Sequence, residues 1–384
     1  DDSGFRSSAA FVDIDQDGDL DLYVCNYLEW DWSIETGCVN ELGQPDFCSP
    51  NSYDAPAADV LLMNQGDGTF VDISESSGIG SLRGNGLGVV AGDVNADGYP
   101  DLFVANDKMP DRLWINNGTR VFTDEGMNRG CATGGDGNAK AGMGVDCVDL
   151  DDDGDLDLLV GNLVRETDTL FLNDNGYFQD TTARRGLAAL SRQYTRFGLG
   201  FADFDHDGRL DLYEANGRVM WQADNYSEND PYAEPNLVLR QNAKGRFQSI
   251  ETADGTSKPL ARTSRGAAFG DIDNDGDLDV VVVNRNAPVS IYINVAKKEA
   301  QSLILDVIDT HGGPAIGAAV SVTLPDGRRL RREVRSAHSY CSASDSRVHV
   351  GGVTGPATVH VQWPDGTEQI FMDVLPGAAR RLVR

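Results

Sequence analysis

A nine-residue pattern, D-x-[DN]-x-D-G-x-x-D, occurs five times in this chain, and each copy runs directly into an apolar stretch. Positions 1, 3, 5 and 9 supply four side-chain oxygens, which suit a hard cation with many oxygen ligands, and calcium is the best candidate. The glycine at position 6 permits the sharp turn that wraps a loop around an ion. Asp and Gly also favour ordinary turns, but five copies with identical internal spacing predict a metal role. The copies begin at Asp13, Asp93, Asp149, Asp203 and Asp271.

The predicted calcium ligands, for one ion in each loop, are the residues at positions 1, 3, 5, 7 and 9 of every copy. An EF-hand is excluded, because it needs a bidentate Glu at position 12 and a helix on each side. Position 12 is Val in four copies, and Glu214 of the fourth copy lies in a stretch that reads as a strand. The predicted set is Asp13, Asp15, Asp17, Asp19, Asp21, Asp93, Asn95, Asp97, Tyr99, Asp101, Asp149, Asp151, Asp153, Asp155, Asp157, Asp203, Asp205, Asp207, Arg209, Asp211, Asp271, Asp273, Asp275, Asp277 and Asp279.

The loop belongs to a larger repeat. The copies start 80, 56, 54 and 68 residues apart, so the unit has about 55 residues and the longer spacings carry insertions. In each unit a strand of small residues enters the loop, an apolar strand leaves it, a third strand ends in Asn in most copies, and a fourth strand carries Phe. Four strands repeated at a fixed period predict the blades of a β-propeller, because radial stacking buries both faces of every sheet.

Charge and composition bound the class of protein. The chain has 384 residues with 40% hydrophobic residues and a net charge of -29, which argues against nucleic acid as a partner. No apolar run approaches the ~18 residues of a membrane-spanning helix. No signal peptide is recognisable and the chain starts at Asp1, so we expect either that a leader was removed or that N-terminal residues are missing.

The charge is unevenly distributed along the chain. Residues 300–384 contain nine Arg and eight acidic residues, so residues 1–299 carry the negative charge. This shift predicts a propeller domain over 1–299, with an insertion at 27–58, and a second domain over 300–384. Alternating runs that feed Pro-Asp-Gly turns predict a small β-sandwich for the second domain. Its arginines could dock on the acidic propeller or face an anionic partner.

Six cysteines are few for a disulfide scaffold. Cys38 and Cys48 close a short Pro- and Gly-rich insertion and are predicted to pair, and Cys131 and Cys147 flank a glycine-rich stretch and are a second candidate pair. The partners of Cys25 and Cys341 stay open. Disulfides and weak calcium loops favour an extracellular, cell-surface or periplasmic location; six reduced thiols in a cytosolic protein are the alternative. Glycosylation triplets begin at Asn117 and Asn225.

Several motifs carry a resemblance to a known family. Phe197-Gly198 and Phe269-Gly270 stand where the FG-GAP/VCBS repeats carry their Phe-Gly pair. Residues 317–366, with Gly317-Ala-Ala-Val320, Ser339-Tyr340 and Val361-Gln-Trp-Pro-Asp-Gly366, resemble the ASPIC/UnbV domain. Together they resemble the secreted acidic cartilage-protein family and its bacterial relatives. The resemblance implies a calcium-loaded propeller, often of seven blades, with a small C-terminal β domain. This chain shows five repeats, and His338 and Cys341 interrupt the usual residues around Ser339-Tyr340.

A basic residue precedes the first strand of every repeat. In a propeller these residues are related by the blade rotation, so they could ring one mouth of the axial channel and bind an anionic ligand. The alternative is that each pairs with a carboxylate of a neighbouring blade. The predicted ring consists of Arg6, Arg83, Lys140, Arg196 and Arg265.

The sequence contains no recognised catalytic motif. The leading prediction is therefore a secreted calcium-binding propeller that acts as a binding or scaffold protein, or as a subunit of a larger assembly, with a protein, an anionic ligand or a polysaccharide as its partner. The alternative is an enzyme of a natural-product or carbohydrate pathway with its site at the channel mouth. A convergent set of perturbed polar side chains at that mouth would favour the enzyme.

Overall fold

A computed structural model describes residues 4–222, 226–227, 229–250 and 260–384. The protein is all-β, as predicted. Five antiparallel sheets follow one another along residues 5–292, and each contains one copy of the repeat with its strands in sequence order. Sheet 1 comprises Phe5–Val12, Asp21–Leu28, Val60–Asn64 and Phe70–Asp72; sheet 2 comprises Gly86–Gly92, Asp101–Asn106, Arg112–Asn116 and Phe122–Asp124; sheet 3 comprises Val145–Val148, Asp157–Val160, Thr169–Asp174 and Tyr177–Asp180; sheet 4 comprises Arg196–Ala202, Asp211–Asn216, Leu237–Gln241 and Phe247–Ser249; and sheet 5 comprises Ser264–Gly270, Asp279–Asn284 and Ser290–Tyr292.

Consecutive sheets pack face to face through separate apolar cores. Alternation along each strand sends one side chain toward the preceding sheet and the next toward the following sheet. In sheet 3, for example, Leu158 packs in the core shared with sheet 2, and Leu159 packs in the core shared with sheet 4. The first strands of consecutive sheets also lie next to each other.

Short connections complete this part of the chain. The helices Ser74–Ser77, Gly126–Arg129 and Thr182–Arg185 follow the fourth strands of sheets 1, 2 and 3, and each ends at a glycine with φ of 85–89°. A left-handed backbone conformation at this position favours glycine, because glycine has no Cβ that could clash. The remaining short elements are the helix Leu187–Ser191, the 3₁₀ turns Pro50–Ser52 and Ile79–Ser81, and the strand pairs Cys38–Val39 with Pro45–Asp46, Ala57–Ala58 with Arg83–Gly84, and Glu234–Pro235 with Ala261–Arg262.

Residues 301–383 form two further sheets that share one apolar core. Buried Leu303 and Val350 come from one sheet, and Val320 and Val359 come from the other. The first sheet holds Gln301–Ile308, Val348–Val353 and Arg380–Val383; the second holds Arg329–Glu333, Ala319–Thr323, Ala357–Gln362 and Glu368–Val374. The chain thus ends in a compact β unit, which lies against the loops that join the first and second strands of sheets 3, 4 and 5.

Two predictions concern features outside the sheets. No helix in the described parts of the chain is long and apolar enough to cross a membrane. The glycosylation triplet at Asn225 begins outside the described residues, whereas Asn117 lies in the exposed turn between the third and fourth strands of sheet 2.

Candidate metal loops and the segment that crosses the sheets

The five predicted loops, here called acidic loops 1 to 5, adopt one backbone path between the first and second strand of each sheet. Position 4 has a φ of 57–62° in every loop, and the glycine at position 6 has a φ of 85–100°. Glycine suits position 6, but position 4 is left-handed without being glycine, which costs energy unless the surrounding bonds hold it. The position-4 residues are Gln16, Ala96, Asp152, His206 and Asn274.

The aspartate at position 1 holds the turn. In loop 1 the Gly18 amide donates to Asp13 Oδ2 over 3.0 Å, and the equivalent bond of 2.9–3.2 Å occurs in the other four loops. The aspartate at position 5 accepts the amide of position 7 in all five loops. These bonds preorganise the carboxylates around the turn.

The aspartate at position 9 joins its loop to the third strand. Asp101 Oδ1 accepts the Asn116 amide over 2.8 Å, and its Oδ2 accepts the Val94 amide over 3.2 Å. All five position-9 aspartates are almost fully buried, and four of them bind a third-strand amide in this way. Asp279 binds the amide of Asn294, just beyond the third strand of sheet 5. Asn116 Nδ2 in turn donates to Ile14 O in the preceding loop over 2.8 Å. Sequence reasoning assigned these residues only as ligands or strand ends, and the geometry adds a cross-link between repeats.

Carboxylate oxygens converge in four of the five loops. In each of them three acidic side chains place an oxygen within 4.8 Å of the others. Buried carboxylate oxygens without a hydrogen-bond partner occur in loops 1, 3, 4 and 5, on Asp15, Asp149, Asp205 and Asp271. Loop 2 differs because Asn95 replaces an aspartate. Hard oxygen donors with unsatisfied lone pairs fit calcium, which takes six to eight oxygens. The side chains at positions 1 and 3 would hold the ion, together with position 5 in loops 1 and 4 and position 9 in loops 3 and 5. The ion would supply charge neutralisation and rigidity.

Burial and crowding of carboxylates shift their protonation. Burial, reinforced by Asp17 and Asp15, raises the pKa of Asp13 to about 6. Burial is also the main cause that raises the pKa of Asp203 to about 7 and the pKa of Asp101 to about 8. These loops therefore resist full ionisation near neutral pH, and a bound cation would relieve the repulsion between their charges.

Basic side chains already neutralise part of this charge. Arg120 lies 2.6 Å from Asp15 in loop 1, and Arg185 lies 2.7 Å from Asp151 in loop 3. In loop 4 Arg240 lies 2.5 Å from Asp205. Arg209, which the sequence analysis included in the ligand set, forms an ion pair with Asp207, so its side chain adds positive charge to loop 4.

The predicted anion-binding ring is not supported by the contacts of its members. Arg83 pairs with Glu29, and Lys140 donates to oxygens of residues 167–169 at 2.9–3.3 Å. Buried Arg196 lies 2.5 Å from Asp168. Of the other two members, Arg265 donates to the carbonyls of residues 217, 218 and 264, and Arg6 is exposed near the start of sheet 1. Four basic groups are thus engaged locally. For the fully buried Arg196 this is expected, because the burial of a cation requires nearby acceptors.

Sequence reasoning missed an acidic cluster between sheets 3 and 4. Glu214 occupies position 12, where the other four repeats carry Val, and its carboxyl is fully buried without a hydrogen-bond partner within the described chain. Burial and the neighbouring Asp168 raise the pKa of Glu214 well above its usual value, while Arg196 opposes this shift. The sequence did contain a sign of this cluster, because Glu214 is the one polar residue at position 12 of the repeat, where the other copies carry Val.

Residues 335–345, here called the crossing segment, leave the C-terminal unit and contact the first strands of the sheets. Ser336 Oγ donates to Phe11 O of sheet 1 over 2.7 Å. Ser339 and Val145 of sheet 3 exchange two backbone hydrogen bonds of 2.6 and 3.0 Å. The Leu199 amide of sheet 4 donates to Ser339 Oγ over 2.9 Å.

The same segment reaches the two remaining sheets. The Asp345 amide donates to Phe269 O of sheet 5 over 2.9 Å. Tyr340 packs edge-on against Phe197, with 4.9 Å between ring centroids, and joins the cluster that contains Leu87 of sheet 2. Eleven residues span at most ~40 Å when fully extended, so the five first strands face one short stretch of chain. The row of sheets is therefore curved, with its first strands on the inside.

His338 and Arg335 fix the crossing segment through Asp146. Burial raises the pKa of Asp146, but the positive charges of Arg335 and of protonated His338 outweigh this effect and hold the pKa below its usual value. His338 Nδ1 lies 3.6 Å from Asp146 Oδ1, and its Nε2 lies 2.6 Å from Ser344 Oγ. Burial lowers the pKa of His338 to about 4, so the ring is neutral at pH 7. Because Asp146 binds Arg335 and Ser344 Oγ accepts the Phe269 amide, these groups hold the segment in place.

The insertion at 27–58 extends from sheet 1 to the other end of the row of five sheets. Asp46 Oδ2 accepts the Trp221 amide over 2.8 Å, and Asp46 Oδ1 accepts the Tyr232 hydroxyl over 2.9 Å. The Phe47 ring packs against Tyr232, and the Arg285 guanidinium lies 4.8 Å above the Phe47 ring. A loop of sheet 1 thereby contacts residues that belong to sheets 4 and 5, which again requires a curved row.

The cysteines divide into one disulfide and four thiols. Cys38 and Cys48 are bonded, as predicted. The second predicted pair is wrong: Cys131 and Cys147 are free thiols. Both lie in the apolar core between sheets 2 and 3, where each packs as a small hydrophobic residue. Cys25 is buried and Cys341 is exposed, and both are free.

Sequence models of two families match the chain. The FG-GAP-like repeat matches residues 40–104, 93–160, 149–214 and 222–282, which together span more than half of the chain. The domain described as ASPIC and UnbV matches residues 309–382. The chain belongs to the FG-GAP-like repeat family. The predicted resemblance is thus confirmed, and each matched range runs from one sheet into the next.

Two curated relatives carry the name cartilage acidic protein 1. The protein of Xenopus tropicalis is 29% identical over 192 residues, which cover 48% of this chain and 28% of the relative. The human protein is 24% identical over 368 residues, which cover 94% of this chain and 50% of the relative. The FG-GAP-like chain thus spans half or less of the length of these relatives. A solved Agrocybe aegerita lectin structure that recognises non-reducing terminal N-acetylglucosamine overlaps with 16% identity and a TM-score of 0.35, over 76% of this chain and 81% of the lectin; this similarity is too low to support a functional assignment.

Proposed function

We propose that this FG-GAP-like chain is an extracellular calcium-binding protein that binds a partner, and that sheets 1 to 5 are consecutive blades of a β-propeller. One observation carries the proposal: the crossing segment contacts the first strands of all five sheets. Strands that surround one short segment are the inner strands of a radial arrangement. Residues 1–299 would form the propeller domain, and residues 300–384 would form the C-terminal domain that supplies the segment.

The acidic loops would act as structural calcium sites. They share left-handed backbone conformations at positions 4 and 6, carboxylates converge in four of them, and several buried oxygens lack partners in the described structure. Calcium on every loop would stabilise the turn between the first two strands of each blade, and the position-9 aspartates would transmit this order to the third strands. The ions would therefore stabilise the fold that carries the binding surface, and residues outside the acidic loops would contact the partner.

The alternative prediction was an enzyme with its active site at the mouth of the propeller channel. Tyr340, Ser339 and His338 of the crossing segment fill the space between the first strands. Side chains in this segment serve contacts within the fold, so the proposal of a binding protein is the one that the geometry supports.

Isothermal titration of the demetallated protein with CaCl₂ tests the proposal. We expect heats for several sites of extracellular affinity, with dissociation constants of about 0.1–1 mM, and much weaker heats with MgCl₂. The Asp273→Asn variant should lose one site, whereas Asp309→Asn, in a turn of the C-terminal unit, should lose none. An absence of calcium-specific heat would overturn the calcium assignment.

A further inference from the structure

The insertion at residues 27–58 has a composition unlike the rest of the chain. It contains six acidic residues and no Lys or Arg. Only Glu29 forms an ion pair with a basic side chain within the described structure, namely with Arg83. Asp31 and Glu35 are instead used as local hydrogen-bond acceptors, and Glu41 is exposed. The surface of the insertion is therefore negatively charged without compensation from its own residues.

Large apolar side chains stand on this acidic surface. The exposed fraction is 83% for Trp32, 64% for Val39, 62% for Leu42 and 52% for Phe47. Isolated exposed apolar residues are common on proteins, but four within sixteen residues of one loop are a concentration of exposed apolar surface, and such surface marks interaction sites. Tryptophan in particular dominates the energy of protein interfaces.

The insertion is held rigidly in this exposed arrangement. The Cys38–Cys48 disulfide closes it, and Asn40 Oδ1 accepts the amides of Leu42 and Gln44 over 3.0 Å at the tip. The Trp30 indole donates to Glu35 over 2.9 Å, and its ring packs edge-on against Trp32 at 5.1 Å. Asp46 fastens the far end to residues 221 and 232. A preordered loop loses little entropy on binding, which favours affinity.

We propose that the insertion is the docking surface for a protein partner that presents a basic segment with apolar side chains. This inference rests on the proposed binding function and specifies its partner. Complementary charge selects a basic partner and speeds association, and Trp32, the most exposed of the four apolar side chains, supplies an apolar contact. A nucleic acid or an acidic polysaccharide would be repelled by the same charges.

A random twelve-residue peptide library displayed on phage tests this proposal with the calcium-loaded full chain as bait. We expect the enriched peptides to carry net positive charge and an aromatic or aliphatic residue. Their synthetic forms should bind the Trp32→Ala variant about tenfold more weakly or worse. Their affinity for the wild type should also fall as NaCl rises from 50 to 300 mM, because exposed charges are screened.

Matched variants separate this surface from general effects. Met372→Ala removes another exposed apolar side chain, in the C-terminal unit, and should leave peptide binding unchanged. Glu41→Lys should weaken binding severalfold, whereas Glu368→Lys in the C-terminal unit should not. Circular dichroism and thermal melting establish that each variant is folded.

Three outcomes would overturn the inference: no enrichment of peptides, enrichment of neutral or acidic peptides, or equal affinity for the wild type and Trp32→Ala. Calcium titration of the same preparations is read separately. Peptides that bind elsewhere on a calcium-binding protein would remove this docking surface and leave the proposed function standing. Loss of the calcium heats alone would remove the calcium assignment and leave the docking surface standing.

Discussion

Phe11 of sheet 1 and Phe201 of sheet 4 occupy the same position of the repeat, two residues before an acidic loop. Phe201 is 7% exposed because it packs in the core shared with sheet 3, whereas Phe11 is 46% exposed. The equivalent Cys147 and Phe269 are buried against the sheets that precede them. The burial of this face therefore depends on a preceding sheet, and none covers sheet 1 within the described chain. The same local sequence therefore contributes very differently to stability in the two sheets.

Calcium removal should have the largest effect on this comparison. With a dissociation constant of about 0.1 mM and about 1 mM free calcium, each loop would add roughly 1.4 kcal/mol to the free energy of unfolding. EDTA should thus lower the melting temperature by many degrees. Hydrogen exchange should show that sheet 1, which has a neighbouring sheet on one side only, loses protection before sheet 4.

An excess of CaCl₂ over EDTA is the control and should restore the melt. A melting curve that EDTA leaves unchanged would contradict calcium loading. Simultaneous loss of protection in sheets 1 and 4 would contradict the idea that a single-sided sheet is the weaker one.

The pair Phe201→Ala and Phe11→Ala tests the comparison directly. Truncation of a fully buried Phe costs about 3–5 kcal/mol, because it removes apolar burial and leaves a cavity. Phe201→Ala should therefore lower the free energy of unfolding by this amount. Phe11→Ala should cost about 1 kcal/mol or less, as is usual for half-exposed positions.

Urea unfolding followed by tryptophan fluorescence measures both changes. Equal losses for the two variants would show that Phe11 is covered in solution, for example by a second copy of the chain. Phe70→Ala, another partly exposed Phe of sheet 1, provides a further reference for an exposed side chain.

Position 12 of the repeat gives a second contrast between these sheets, since it holds Val24 in sheet 1 and Glu214 in sheet 4. The raised pKa of Glu214 means that the folded protein keeps a proton that the unfolded chain releases above pH of about 4.3. Wild-type stability should therefore fall as pH rises from 5 to 7, by up to ~1.4 kcal/mol per pH unit. Glu214→Gln, which mimics the protonated form, should lack this loss.

The quantity to measure is the unfolding free energy of Glu214→Gln minus that of the wild type at several pH values. It should rise by about 1–3 kcal/mol between pH 5 and pH 7. Glu41→Gln, at an exposed site, should give a flat difference. Parallel pH profiles for Glu214→Gln and the wild type would show that the carboxyl is ionised in the folded state.

The smallest effect concerns the contact that joins the two ends of the row. Tyr232→Phe removes the hydroxyl that donates to Asp46 and should destabilise the protein by about 1 kcal/mol. Thermal melting measures the loss, and Tyr177→Phe, at an exposed tyrosine of sheet 3, serves as the control. If both variants melt alike, the insertion does not hold the two ends together in solution.

Much of the fold was predictable because it depends on residues that are close together in the sequence. The repeat pattern fixes where each loop turns, and the apolar alternation fixes which side chains face a neighbouring sheet. The all-β class, the FG-GAP-like repeats and the Cys38–Cys48 disulfide followed from residues close together in the chain. The second cysteine pair failed for the opposite reason: Cys131 and Cys147 belong to different elements, and spacing along the sequence does not determine whether two thiols meet.

The acidic loops contain both kinds of feature, those that the local sequence predicts and those that depend on distant residues. The sequence indicated carboxylate clusters at the turns, and they occur in four of the five loops. It did not reveal that the position-9 aspartates bind backbone amides at the third strands or that Arg120 and Arg240 approach loops 1 and 4. Those contacts join residues that are far apart in the chain. The ring of five basic residues stays a prediction, and the partners that Arg83, Lys140, Arg196 and Arg265 contact could likewise not be read from the sequence.

The repeat, the all-β class, the family and the positions of the acidic loops can be read from the amino-acid sequence alone, because each depends on interactions within a few residues. The path of residues 335–345 across the first strands, the contact of the insertion with Tyr232, and the exposure of Phe11 beside the burial of Phe201 arise only in the folded chain. These features depend on which surfaces meet when the sheets pack, and packing brings together residues whose separation in the sequence carries no signal of contact.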